Sequence, residues 1–208
     1  MARYVGAVCR LCRREGEKLF LKGERCFTSK CAAERREGGP GQHGHSRQSR
    51  SDFRFQLREK QKAKRMYGLL EKQFRLYFKR AVRGKGVTGT KLLEMLETRL
   101  DNVAYRLGFG ISRRQARQRV RHGHVLVNGK KVNIPSYRVA VGDVIELRGP
   151  LKTNVEVKAS IDSVAGRFVP EWLSLDKSTL KGTVSAMPQR EAMPQNIKEQ
   201  LIVELYSK

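Results

Sequence analysis

Long apolar runs and acidic side chains are what this sequence lacks most clearly. No apolar stretch approaches the roughly 18 to 20 residues that a membrane-spanning helix needs, and no apolar segment follows Met1-Ala2-Arg3 as in a secretory signal. Only 20 Asp and Glu residues stand against 44 Lys and Arg residues, so the 208-residue chain carries a formal net charge of +24. Such an excess repels itself unless a polyanion neutralises it. We therefore expect a cytoplasmic protein that binds nucleic acid rather than a membrane or a small-molecule substrate.

Common enzyme motifs are lacking too. The chain has no Gly-rich loop followed by Lys and Ser or Thr, which would cradle a nucleotide, and no nucleophile elbow. His122 and His124 have no carboxylate pattern that would make either of them a general base. The sequence therefore predicts a protein that is not an enzyme.

All four cysteines fall within the first 31 residues, with the spacing C-x2-C-x13-C-x4-C. Four thiolates at this spacing suit a closed tetrahedral metal site, and the segment between them holds too few apolar residues to fold without one. Zinc (Zn2+) is the expected metal, with a 4Fe-4S cluster and unligated reduced thiols as alternatives. A redox-active dithiol is disfavoured because no βαβ pattern surrounds the C-x-x-C. The predicted ligands are Cys9, Cys12, Cys26 and Cys31.

Residues 37–51 form a Gly-, Ser- and Pro-rich segment. This composition is typical of a flexible, solvated linker. The other interpretation is a backbone-rich loop that lies along phosphates, with Gln42, His43, Arg47 and Arg50 as contacts. Metal binding by histidine is disfavoured because the cysteines already complete a site.

Two helices are predicted between Phe53 and Arg83, with Gly68 as the stop of the first. In the second, apolar residues from Phe74 onward recur at helical spacing and form one stripe. The first carries six basic residues within twelve positions against one Glu, which favours phosphate contact over a merely solvated face. Its candidate contacts are Arg58 and Lys62.

A short basic helix in the middle of the chain is the most informative segment. A third helix is predicted from Thr90 to Leu107, and Ser112 with Gln115 then forms a capping box that starts the basic helix. At 100° per residue, five long polar side chains of that helix span an arc of about 140°. They are Arg113, Arg114, Arg117, Gln118 and Arg121.

The pattern then changes to short strands. Asn128-Gly129 between two apolar-basic segments is a strong signal for a two-residue hairpin, and Gly142-Asp143 marks a turn before a further strand at residues 144–147. The predicted fold class is α+β. It comprises an N-terminal four-cysteine metal knuckle, a helical domain, and a small RNA-binding module of basic helices packed on a mostly antiparallel sheet.

Several motifs together resemble a known family. They include Pro40-Gly41-Gln42-His43-Gly44, Arg99-Leu100-Asp101-Asn102, Val127-Asn128-Gly129 and Glu199-Gln200-Leu201-Ile202-Val203-Glu204-Leu205-Tyr206. Nearly the whole chain is similar to bacterial small-subunit ribosomal protein four, the universal family uS4, in its metal-binding four-cysteine branch. The resemblance implies direct binding of small-subunit (16S) ribosomal RNA near a multi-helix junction, nucleation of assembly of the subunit body, and a contribution to translational accuracy.

The resemblance also bears on site residues and partners. Further candidate RNA contacts, within or beside the motifs, are Arg99, Arg106, Ser112, Gln115, His122, His124, Asn128, Lys130 and Lys131. The implied partners are small-subunit ribosomal RNA, neighbouring small-subunit ribosomal proteins and mRNA near its entry path, all in the cytoplasmic ribosome.

The positive charge is confined to part of the chain, because residues 1–150 carry all but +1 of it. Apolar clusters around Trp172 and Leu201 are expected to pack on the helices of residues 53–107. The polar edge of the C-terminal segment, at Gln200, Glu204 and Tyr206, is expected to face a neighbouring protein. The predicted divisions are the metal-binding segment and basic linker at 1–45, the helical domain at 46–96, the RNA-binding module at 97–160, and the near-neutral C-terminal segment at 161–208.

Two other functional classes are the alternatives. Pseudouridine synthases carry a similar RNA-binding module, and Arg99-Leu100-Asp101 matches the triplet that holds their catalytic Asp. That motif is weak, the chain after residue 150 is too short for a catalytic domain, and Asp101 is expected on a helix surface. A zinc-dependent DNA-binding regulator would need a recognition helix beside the metal site, whereas the basic helix lies about 80 residues downstream.

Overall fold

The computed structural model describes residues 3–46, 51–165 and 169–207. It divides the chain into two compact units, one of residues 1–92 with 195–208 and the other of residues 93–194. No helix in the described ranges is both long enough and apolar enough to cross a membrane.

The helices of the described residues are α1 (Cys9–Glu15), α2 (Ala32–Arg35), α3 (Asp52–Met66), α4 (Glu71–Val82), α5 (Thr88–Glu97), α6 (Leu100–Arg106), α7 (Arg113–Arg121), α8 (Gly149–Lys152), α9 (Val155–Ala165) and α10 (Glu199–Tyr206). Short 3-10 helices lie at Gly23–Phe27 and Arg190–Ala192. The strands are β1 (Val125–Val127), β2 (Lys130–Lys131), β3 (Val144–Leu147), β4 (Leu173–Asp176) and β5 (Lys181–Val184).

The first unit is built on the two helices predicted between residues 53 and 83. Ser51 caps α3 by accepting the N–H of Arg54 at 3.4 Å, and the left-handed Gly68 (φ +64°) follows its end. Helix α4 buries its apolar stripe, with Phe74 fully inaccessible. Helix α10 packs against α3 and completes this unit.

The second unit is an antiparallel sheet with helices packed on it, as the α+β prediction requires. The strand order is β2-β1-β3-β5-β4, and every neighbouring pair is antiparallel. Apolar side chains of α6, α7 and the sheet share one core, in which Leu100, Leu107, Val120 and Ile145 are fully buried. The basic helix is therefore held by its apolar face on a rigid platform.

Two glycines are required by the backbone of this unit. In the β1–β2 hairpin both loop residues have positive φ, +51° at Asn128 and +75° at Gly129, as a type I′ turn demands. The predicted hairpin is thus confirmed. In β5, a Cβ on Gly182 would overlap the side chain of Leu107, so glycine permits the close approach of that strand to α6.

The prediction of one helix over residues 90–107 is wrong. The chain leaves the helix before Arg99, which is extended (φ −70°, ψ 137°) and forms an isolated antiparallel bridge with Arg138. The N–H of Leu100 then donates to the carbonyl of Tyr137 at 2.9 Å. This loop supplies an acceptor to an N–H that α6 itself cannot satisfy. The apolar residues keep their helical spacing through this break, so the sequence pattern did not predict it.

The segment 161–208, treated above as one part, is divided by the structure. Strands β4 and β5 complete the sheet of the second unit, and Trp172 joins its core, whereas residues 195–208 belong to the first unit. The unit boundaries thus fall at 92/93 and 194/195 rather than at 96/97 and 160/161.

Candidate nucleic-acid interface

The start of α7 is fixed by the predicted capping box. Ser112 Oγ accepts the N–H of Gln115 at 3.3 Å, and Gln115 Oε1 accepts the N–H of Ile111 at 2.8 Å. Both side chains are thus used to begin and orient the helix. Their predicted role as RNA contacts stays a prediction, and their structural role is sufficient to explain them.

Two polar contacts fix α7 against α6. Arg117 donates to Asp101 Oδ2 at 2.6 Å, and Arg113 Nε donates to Asn102 Oδ1 at 2.8 Å. Asp101 and Asn102 are buried, with 5% and 2% of their surface exposed. Arg113 also lies over the ring of Tyr105, 4.6 Å from its centroid. The protein itself therefore orients two half-buried arginines of the predicted arc.

The other long side chains on the outer side of α7, at its end and on strand β2 are exposed and basic or polar. Lys131 lies against Gly123, just after α7, so strand β2 extends the basic surface of the helix. Among the described residues, no ion pair involves the lysines or the exposed arginines of this surface. Such cations can exchange their counterions for phosphates. We call this set the α7–β2 surface: Arg114, Gln118, Arg121, His122, Lys130 and Lys131.

His124, half-buried beside this surface, reports a positive local potential. Burial lowers the pKa of His124, and the positive charges of His122, Arg148, Arg119 and Lys131 lower it further. The two imidazole rings lie 6.1 Å apart. Burial disfavours any charge, so it is the positive charges of these neighbours that favour an anion here.

Several predicted RNA contacts have partners within the protein. Arg99 is 3% exposed and donates to Asp101 at 2.7 and 3.0 Å, so its contact with RNA stays a prediction, and this burial weighs against it. The expectation that Asp101 lies on the helix surface is likewise wrong. Arg106 donates to Glu97 at 2.9 and 3.1 Å. The side chain of Asn128 holds the hairpin by bonding the turn before β3.

The basic face of α3 is largely neutralised within the protein. Arg58 pairs with Glu15 at 3.5 Å, and Lys62 pairs with Glu59 at 2.8 Å and Glu17 at 3.2 Å. The count of basic residues in this helix overstated its free charge, because the partner carboxylates come partly from α1 and its end. Contact of Arg58 and Lys62 with RNA stays a prediction. The ion pairs weigh against it, because they already neutralise both side chains.

The Gly-rich segment contains an ordered turn. Gly39 N–H donates to the carbonyl of Gly44 at 3.0 Å, and Arg13 of α1 donates to the carbonyls of Gly38 and Gly39 at 3.3 and 3.0 Å. The turn exposes Gln42 and His43. The other two predicted contacts of this segment, Arg47 and Arg50, lie outside the described residues.

Sequence reasoning missed a cleft beside this turn. The cleft has a volume of about 440 Å³, and its lining includes five arginines interspersed with four glutamates. Its arginines come from three separate segments, which no local motif connects. They are Arg13, Arg14, Arg36, Arg54 and Arg58.

All four cysteines are free thiols, and Cys12, Cys26 and Cys31 are buried. Burial raises the pKa of Cys12 and of Cys26, and the negative charges of neighbouring cysteines raise both further. The backbone N–H of Lys22 donates to Cys26 Sγ at 3.3 Å. Within the described residues, no three His, Cys, Asp or Glu side chains are grouped closely enough to hold a metal. Metal binding therefore stays a prediction.

On α10, Gln200 and Glu204 are exposed, and Glu204 accepts a hydrogen bond from Gln56 at 3.0 Å. Tyr206 is half-buried, and its predicted contact with a neighbouring protein stays a prediction. Its ring stacks on Phe78 at 4.4 Å, and its hydroxyl donates to Glu71 at 3.1 Å. Tyr206 thus packs within the first unit.

A basic helix packed on an antiparallel sheet, with exposed cations on its outer side that form no ion pair in the described part of the chain, is typical of a nucleic-acid-binding protein. Comparison with known proteins identifies the family to which the chain belongs. The sequence-family model of the ribosomal protein S4/S9 N-terminal domain matches residues 3–97, and the family model of the S4 domain matches residues 98–145. The chain belongs to the uS4 family of small ribosomal subunit proteins, as the sequence motifs predicted, whereas membership of its metal-binding four-cysteine branch stays a prediction.

Relatives match over the full length of both chains. Proteins named small ribosomal subunit protein uS4 are 61% identical in Citrifermentans bemidjiense, 58% in Acidithiobacillus ferrooxidans and 58% in Acetivibrio thermocellus, each over 208 residues. The similarity therefore extends through both units and the C-terminal helix.

Proposed function

We propose that this protein is a structural component of the small ribosomal subunit that binds the subunit's RNA directly, and that it is not an enzyme. The observation that carries the proposal is the α7–β2 surface, whose exposed cations have no carboxylate partner among the described residues, while Asp101 and Asn102 hold the helix in place. Full-length similarity to proteins named uS4 supports the same assignment. A ribosomal, cytoplasmic location follows from it.

Footprinting on protein-free small-subunit RNA tests this function. Protection of one compact junction is the expected result, since a preoriented basic surface binds one site, and diffuse protection would show non-specific polycation binding instead. With roughly six to ten phosphate contacts, affinity should fall about 10³- to 10⁵-fold between 50 and 200 mM salt, taking DNA complexes as a guide.

Substitution of Arg114 or Arg121 by Ala identifies the binding surface. Each change should weaken RNA binding and reduce the salt slope by about one released counterion. Lys177→Ala, an exposed cation in the near-neutral segment, is the matched control and should leave the slope unchanged. A salt-independent loss in the arginine variants would indicate disturbed folding and would count against the α7–β2 surface.

The proposal extends to assembly and accuracy. A protein that binds unassembled RNA tightly and at one junction is suited to nucleate the subunit body. Contact with a neighbouring ribosomal protein is assigned to α10, whose residues include no Lys or Arg. Contact with mRNA near its entry path, and the role in translational accuracy, rest on the family resemblance and on the positive charge.

The four-cysteine segment belongs to the proposal as a metal site, held by Cys9, Cys12, Cys26 and Cys31. Three of these thiols are buried, and a backbone N–H already points at one sulfur, although the four side chains, as described, would have to move closer together to share one ion. Thiolates are the preferred ligands of zinc and of 4Fe-4S clusters alike. The bound metal would supply structural stability to residues 1–45.

Elemental analysis of protein purified with and without air tests this site. One zinc per chain, or iron with a brown colour that fades in air, is the expected result. Cys26→Ser should lower the thermal stability of residues 1–45 and leave the sheet unit folded, because that unit has its own core. Ser29→Ala, in the same segment, is the control. Folded protein without zinc or iron would contradict the metal proposal.

A further inference from the structure

Two phenylalanines of the N-terminal segment are stacked on each other at the surface. The rings of Phe20 and Phe27 lie 4.9 Å apart at an interplanar angle of 28°. Their exposed fractions are 37% and 56%, so neither ring is placed to stabilise a core. The neighbouring residue Leu19, by contrast, is 1% exposed and serves the interior.

Phe20 also has a backbone conformation that favours glycine, with φ +50°. The reason for the turn is local: the N–H groups of Leu19 and Lys22, on either side, point at the sulfurs of Cys12 and Cys26. Glycine would make this turn without strain. A bulky aromatic residue in the left-handed region therefore adds strain, and Phe20, although stacked on Phe27, keeps 37% of its surface exposed, a combination that is typical of functional sites.

The charge around the pair indicates its partner. Lys22, Arg25 and Lys30 are exposed on the same short segment, and in the described part of the chain none of them pairs with a carboxylate. An apolar surface meant for another protein is usually depleted of lysine. Exposed aromatic rings among cations are the arrangement by which proteins stack unpaired bases while cations follow the backbone.

We propose that Phe20 and Phe27 form a stacking platform for an unpaired base of small-subunit ribosomal RNA. The inference rests on the proposed function and adds to it a second, non-ionic contact, separate from the α7–β2 surface. Stacking displaces no counterions, so its contribution should be independent of salt.

Affinity of the full-length protein for protein-free small-subunit RNA is the test. Phe20→Leu and Phe27→Leu keep an apolar side chain but remove the π-face, and each should weaken binding roughly 5- to 150-fold per base lost, with the salt slope unchanged. Phe27→Tyr keeps the ring and should bind like the wild type. Val87→Ala shortens an even more exposed apolar side chain elsewhere in the same unit and should have no effect.

Phe20→Gly separates binding from folding. Because relief of the left-handed strain offsets the lost contact with Phe27 and the greater freedom of glycine in the unfolded chain, this variant should keep a thermal stability close to that of the wild type and yet bind RNA more weakly. Chemical probing should show one unpaired nucleotide that the wild type protects and the Leu variants expose.

Different failures have different meanings. Wild-type affinity in the Leu variants would overturn the platform while leaving the proposed function intact. Leu variants that bind RNA normally but fail to enter the subunit would assign the pair to a protein partner and overturn the platform as well. Absence of RNA binding by the wild type would overturn the proposed function itself.

Discussion

At the residue scale, Asp101 shows how a charged side chain can act far from solvent. Its carboxylate accepts hydrogen bonds from Arg99 and Arg117, so it neutralises one buried arginine and aims a second from α7. Sequence reasoning placed this residue on a helix surface. The error has a physical cause: the helix break at Arg99 depends on a bridge to Arg138, 39 residues away, which local patterns cannot show.

Asp101→Asn should destabilise the protein by about 3–5 kcal/mol, the usual cost of breaking one side of a buried ion pair. Arg99, only 3% exposed, would lose its two hydrogen bonds to a carboxylate charge. Denaturant unfolding measures the change. Asp162→Asn, at an exposed carboxylate of the same unit, should shift stability by no more than about 0.5 kcal/mol. Equal small effects in both variants would show that Asp101 is not needed to hold its arginines.

At the scale of elements, local signals predicted what is local. The capping box of α7, the apolar stripe of α4 and the Asn128-Gly129 hairpin all formed as expected, because each depends on residues within a few positions. Strands β4 and β5 escaped prediction because β5 joins the sheet beside β3, more than 30 residues earlier in the chain. The ion pairs of α3 escaped for the same reason.

Glu71 joins three of these elements and makes their packing sensitive to acid. It accepts hydrogen bonds from Lys60 at 2.6 Å and Lys64 at 2.9 Å of α3, and from Tyr206 of α10 at 3.1 Å. Burial alone would raise the pKa of Glu71, but the hydrogen bonds and charges of the two lysines outweigh it and lower the pKa to about 2. Protonation of Glu71 therefore destabilises the folded state.

The stabilisation by Glu71 should be complete above its ordinary pKa of 4.5 and lost as the pH falls toward 2. Thermal melting between pH 6 and pH 2.5 measures it. Glu71→Gln should melt below the wild type at pH 6, and the two curves should converge as the pH falls. Glu24→Gln, at an exposed carboxylate without an ion pair in the described residues, should run parallel to the wild type. Parallel curves for Glu71→Gln would contradict the assignment.

At the scale of the whole molecule, charge separates two kinds of surface. Residues 1–150 hold nearly all of the net +24, and part of that charge lies exposed on the α7–β2 surface. The near-neutral remainder supplies two strands and a helix. Composition alone predicted this separation, whereas it could not tell free cations from those already paired, as Arg58 and Lys62 show.

Helix α10 exposes the polar edge that we assign to a neighbouring ribosomal protein. Gln200 and Glu204 are four positions apart, so they lie on one face of the helix. Both are exposed, and the helix has no cation to offer a phosphate. Glu204 also accepts a hydrogen bond from buried Gln56, so Glu204→Lys would alter folding together with the surface charge. Gln200 is the cleaner position for a test.

Gln200→Leu should leave the RNA affinity and its salt slope nearly unchanged while it alters the miscoding rate of assembled subunits. The reason is that an interface which opens during decoding depends on modest polar contacts, and an added apolar group changes their strength. Gln118→Leu is the matched change on the α7–β2 surface, and it should weaken RNA binding. Loss of RNA affinity in Gln200→Leu as well would show that α10 lies on RNA, and the separation of an RNA-binding surface from a protein-binding surface would then be wrong.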